Sequence, residues 1–182
     1  MRIGVFLTMG FLEAEAAPVL DAIRIMRESG SEVEAFTIAK SRHGLEAAAG
    51  SLWTAKYALA ARPQLEVLVV PGGRGLARAA RDLQVGLWIE EIWNGLQAVF
   101  LGANGPVFLG EMGRAPALVA AHPAYADEVR RYAQLGHETA YAVGRVTTTA
   151  GYLFLLGALL DHFQVGGFDI TPVLDQMALA FD

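Results

Sequence analysis

The 182-residue chain is long enough for one buried core and short for two, so a single domain over 1–182 is expected. Hydrophobic residues make up 54% against 18% charged, which excludes a disordered chain. A net charge of −5 gives no general pull toward nucleic acid or an anionic membrane, and the absence of cysteine excludes disulfides, thiolate metal sites and a cysteine nucleophile. No apolar run approaches the roughly 20 residues of a membrane span. The expectation is a cytoplasmic protein with neither a membrane nor a nucleic-acid partner.

Short apolar runs at residues 3–8, 33–38, 67–70, 98–101, 117–120 and 146–149 read as strands. Several are continuous rather than alternating, as a parallel strand buried on both faces requires. Helical periods lie between them, at about 15–27, 83–93, 106–112, 124–132 and 152–163. This alternation predicts a flavodoxin-like three-layer α/β/α sandwich around a mostly parallel sheet. Residues 43–60 break the rhythm, with Gly44 and Gly50 marking a turn or hairpin, and 135–142 reads as a short edge strand. Thr171-Pro172 reads as an N-cap with proline at the first helical position, opening a last helix through Ala180.

Gly102-Ala103-Asn104-Gly105-Pro106 follows a buried strand and turns into a helix. Such a turn has nucleophile-elbow geometry, presenting one side chain at the top of the sheet. A helix start beneath it favours an anion. Glu15 opens the first helix. Pro71-Gly72-Gly73 ends the strand at 67–70, although as a bare motif that tripeptide serves any strand-to-loop turn.

Together with Met9-Gly10-Phe11-Leu12-Glu13-Ala14-Glu15, Ala121-His122-Pro123 and Gly144–Gly151, these segments resemble the ThiJ/PfpI pattern of the class I glutamine-amidotransferase-like fold. That superfamily includes proteases, isonitrile hydratases, glyoxalase- or deglycase-like enzymes and sensor domains of transcription regulators. In it a cysteine nucleophile stands where this chain has Ala103. Alanine has no nucleophilic or ionisable group, so thiolate chemistry cannot occur there. The lack of cysteine elsewhere and the adjacent Asn104 fit natural divergence better than an engineered replacement.

The resemblance implies Glu15 as a possible acid/base beside the inactive Ala103 position, and His122 near it. It also implies a ligand cradle of Gly72, Gly73, Asn104 and Gly105, and a homodimer. It leads to a catalytically degenerate protein, a pseudoenzyme that binds a small molecule or partner in the former pocket. One alternative is a cysteine-independent hydratase/lyase or hydrolase, acting through Glu15 on a small carbonyl or nitrile-like compound. Another is the sensor module of a transcription regulator, which would need a separate DNA-binding partner because the chain ends at Asp182.

Other residues have blander readings. Glu13 belongs on the surface, and Glu15 alone suits a helix dipole. His122 beside a proline reads equally well as a loop residue or a ligand-binding one. His43, His137 and His162 lack metal-ligand spacing, so neither metal nor cofactor is expected. Arg74, Arg78 and Arg81 read as a solvated helix face sooner than an anion site. Trp88 and Trp93 read as core or interface, and Thr147–Thr149 as strand.

Overall fold

A computed structural model describes residues 1–178. Strand β1 (Arg2–Phe6) leads into helix α1 (Glu13–Glu28) and strand β2 (Glu34–Ala39). A short antiparallel pair follows, β3 (Leu45–Glu46) with β4 (Leu52–Trp53), and then β5 (Tyr57–Ala58). Next come β6 (Val67–Val70), α2 (Leu76–Ala80), α3 (Leu83–Trp93), β7 (Ala98–Leu101) and α4 (Gly105–Glu111). The remaining elements are β8 (Leu118–Val119), α5 (Ala126–Val129), β9 (Gln134–Leu135), β10 (Ala140–Val143), β11 (Val146–Thr149), α6 (Leu153–Val165) and α7 (Thr171–Met177).

Seven strands form one sheet in the order β10-β11-β7-β6-β1-β2-β5. Every neighbouring pair is parallel except β10 and β11 at the edge. The sheet has helices on both faces, so its strands carry apolar side chains both ways. Alternation sends Ile3, Val5, Val67, Val69 and Phe100 toward α1, α6 and α7. Phe6, Leu68, Val70, Val99 and Leu101 face the other way, against Trp88, Ile89 and Phe108 of α3 and α4. This is the expected α/β/α sandwich. The carboxyl ends of β1, β6 and β7 lie side by side, where open α/β sheets bind ligands.

Four expectations differ in detail. The helix expected at 124–132 is a 3-10 turn, Pro123–Tyr125, followed by the single turn of α5. It stops because Tyr132 is drawn onto Gly110, where its hydroxyl donates to Glu111 at 2.5 Å. The strand expected at 117–120 is only β8, which pairs with β9 outside the main sheet. Thr171 is the first helical residue and not the N-cap, because the Asp169 carboxylate already accepts its N–H at 2.9 Å. Helix α7 ends at Met177, with Ala178 left-handed, and the expected continuation to Ala180 lies outside the described residues.

Candidate functional site

Strand β7 leaves the sheet with the Gly102 N–H still donating to Val70 at 3.0 Å, and the chain then reverses into α4. The reversal places Ala103 at φ 35°, a conformation that costs an L-residue about 1–3 kcal/mol. Its methyl is fully buried between two glycines. A Cβ on Gly72 would stand 2.6 Å from it and one on Gly151 3.0 Å. Gly105 is buried as the first residue of α4, pressed against the Leu101 side chain.

Glu15 lies in the first turn of α1 and is 1% exposed. One carboxylate oxygen accepts the Gly72 N–H at 2.6 Å and the other the Tyr152 N–H at 2.8 Å. Burial pushes its pKa up, against the downward pull of those two bonds. The carboxylate also fills the space where Gly102 and Gly151 would carry side chains, so both positions demand glycine.

Asn104 is likewise 1% exposed. Its side-chain oxygen accepts the Gly73 N–H at 2.8 Å, and its amide donates to the Gly73 carbonyl at 3.1 Å and to Glu128 at 3.2 Å. The Gly72 and Gly73 N–H groups, expected as an open anion cradle, are therefore held by Glu15 and Asn104.

His122 donates its N–H to the Ala103 carbonyl at 3.2 Å, which brings it to the elbow. Its Nδ1 accepts the Ala124 N–H at 3.2 Å, capping the 3-10 turn, so a neutral ring carries its proton on Nε2. The ring centre lies 5.4 Å from that of Tyr152 and 6.1 Å from that of Tyr125. Burial, with Tyr152, Glu15 and Glu128 nearby, pushes the Tyr125 hydroxyl pKa up. Tyr152 has φ 52° and ψ −127°, a second strained non-glycine residue, yet is 43% exposed.

Tyr152, Tyr125 and Glu128 were not anticipated from the sequence. The available signal was the aromatic directly after Ala150-Gly151 at the end of β11. Among the remaining candidates, Glu13 is not a free surface group, because it accepts from the Ala49 N–H at 3.0 Å and the Ser51 hydroxyl at 2.8 Å. Trp88 is buried in the core beside Phe6, and Trp93 stacks with Arg114. Arg81 is paired with Glu111, and Arg74 stands 3.7 Å from Glu46. Thr149 donates to the Leu101 carbonyl and accepts the Gly151 N–H, bracing the elbow from behind. Among the described residues no cluster of three histidine, aspartate or glutamate side chains could hold a metal ion, and no helix is long and apolar enough to cross a membrane.

The fold has clear structural counterparts. Drosophila melanogaster DJ-1beta superimposes with a TM-score of 0.84 at 16% identity, covering 99% of this chain and 98% of its own. A ThiJ/PfpI family protein from Pseudomonas syringae gives 0.78 at 20% identity, over all of this chain and 76% of its own. The fold is that of the DJ-1/ThiJ/PfpI proteins. A cysteine-to-alanine mutant of a DJ-1 superfamily protein from Salmonella typhimurium gives 0.77 at 20% identity, covering 99% of each chain. No protein-family model and no curated protein matches the sequence.

Proposed function

We propose that this chain is a DJ-1/ThiJ/PfpI-type pseudoenzyme that recognises a small molecule or a partner at the former active site, without nucleophilic chemistry. The observation that supports this reading is the pair of strained residues Ala103 and Tyr152, which flank the buried Glu15. Strain in an L-residue persists only where the surroundings over-determine it, and such places cluster at functional sites. Ala103 keeps elbow strain without a reactive group, and Tyr152 offers an exposed ring beside His122. Together they suit recognition by stacking and hydrogen bonding. The chain is proposed to act as one domain, as a cytoplasmic homodimer, with light scattering as the test of oligomeric state.

The experiment is a thermal-shift ligand screen run beside glyoxalase, peptidase and hydratase assays. Stabilisation without turnover, lost in Tyr152→Ala, is the expected result. A second reading is favoured by the raised pKa of Glu15, which suits a proton-transfer group. It is a cysteine-independent hydratase/lyase or hydrolase acting on a small carbonyl or nitrile-like compound. Saturable turnover abolished by Glu15→Gln would establish it in place of the first.

A further inference from the structure

A cavity of about 290 Å³ opens at the ends of β1 and β2 and shares no lining residue with the elbow. Phe6, Leu45 and Val85 give it an apolar interior, and Lys40, Ser41, Arg78 and Asp82 stand around it. Thr8 also lines it, by simple strand geometry. Alternation along the chain leaving β1 sends Leu7 to the α1 face and returns Thr8 to the side of Phe6, beneath α2 and α3.

Thr8 is 5% exposed and its hydroxyl has no hydrogen-bond partner among the described residues. A buried unpaired hydroxyl is a standing cost to the fold, and native proteins leave few of them. The charges around the cavity do not cancel. Asp82 pairs with Lys40 and also accepts the Gln84 and Val85 N–H groups at the start of α3. Arg78 is exposed and has no carboxylate partner among the described residues. The cavity thus combines an apolar body, one uncompensated guanidinium and one unused hydroxyl.

We infer that this cavity binds a small monocarboxylate with a compact apolar body. The carboxylate meets Arg78, whose planar fork matches it, and the Thr8 hydroxyl donates to the ligand. The apolar body rests on Phe6, Leu45 and Val85. A phosphate dianion fits less well, because the Asp82 carboxylate shares the cavity wall.

Calorimetric titration of the whole chain with benzoate and hexanoate, against benzyl alcohol and inorganic phosphate, tests this. Single-site saturable binding of the carboxylates is expected, with the alcohol and phosphate about tenfold weaker or worse. Arg78→Ala should weaken benzoate about tenfold or more, and Thr8→Val about fivefold. Without ligand, Thr8→Val should melt no lower than the parent, because it removes an unpaired buried hydroxyl. A purely structural threonine would show the opposite. Tyr152→Ala should bind benzoate as the parent does, because Tyr152 does not line this cavity, and that separates this site from the elbow. No saturable binding, equal affinity for the alcohol, an unaffected Arg78→Ala or loss of binding in Tyr152→Ala would each overturn the inference.

Discussion

Glu15 and Tyr152 stand 137 positions apart and are joined by a 2.8 Å hydrogen bond from the Tyr152 N–H to the Glu15 carboxylate. With the second bond, from Gly72, the carboxylate ties the start of α1 to the end of β6 and the start of α6. It also occupies space that two glycines leave open.

That crowding makes Gly102 and Glu15 energetically coupled. The atoms nearest a Cβ on Gly102 all belong to Glu15. Gly102→Ala should therefore cost about 1–3 kcal/mol in the parent. In a Glu15→Ala background it should cost less than about 0.5 kcal/mol. Urea unfolding of the four proteins of this cycle measures the coupling; additive losses would mean that the carboxylate does not lie against Gly102.

Glu15→Gln keeps the shape but turns a donor toward one of two N–H groups. A stability loss of about 1–3 kcal/mol is expected from the amide left unpaired. The loss should depend on pH in a defined sense. Burial raises the pKa of Glu15 in the folded state above its ordinary 4.5. The folded state thus binds a proton more tightly than the unfolded chain. The contribution of Glu15 is fully present below 4.5 and declines as pH rises toward the raised value. The slope is at most about 1.4 kcal/mol per pH unit. The advantage of the parent over Glu15→Gln should therefore be widest in acid and narrow toward neutrality. A gap that widens with pH contradicts the raised pKa.

Tyr152→Gly should stabilise the fold. Glycine tolerates φ 52° without strain, so relief of about 1–3 kcal/mol exceeds an entropic cost of about 0.5–1 kcal/mol. The same variant should lose ligand stabilisation at the elbow, since it removes the ring beside His122. A higher melting temperature with ligand response intact would remove Tyr152 from the site.

Ala103→Cys reports directly on access to the elbow. The Ala103 methyl is fully covered, so alkylation of the new thiol by iodoacetamide should be slower than that of a free thiol. A fast variant would show an elbow open to solvent.

Continuous apolar runs such as Val67–Val70 and Ala98–Leu101 announce strands buried on both faces, because local composition suffices when both faces meet helices. Gly102-Ala103-Asn104-Gly105 announces the sharp turn for the same local reason, and Ala103 shows at once that no thiolate works there. The occupation of the Gly72 and Gly73 N–H groups was not legible, because their acceptors come from Glu15 and Asn104, 57 and 31 positions away. Glu13 looks like a surface acid until the turn around Gly50 folds back and donates to it. Residues 124–132 have helical composition, yet the pull of Gly110 and Glu111 on Tyr132 ends the helix early. Thr8 carries no mark in the sequence that its hydroxyl lacks a partner. Strand and turn identity follow from neighbours along the chain, whereas hydrogen-bond satisfaction depends on which distant groups the folded sheet brings within 3 Å or so.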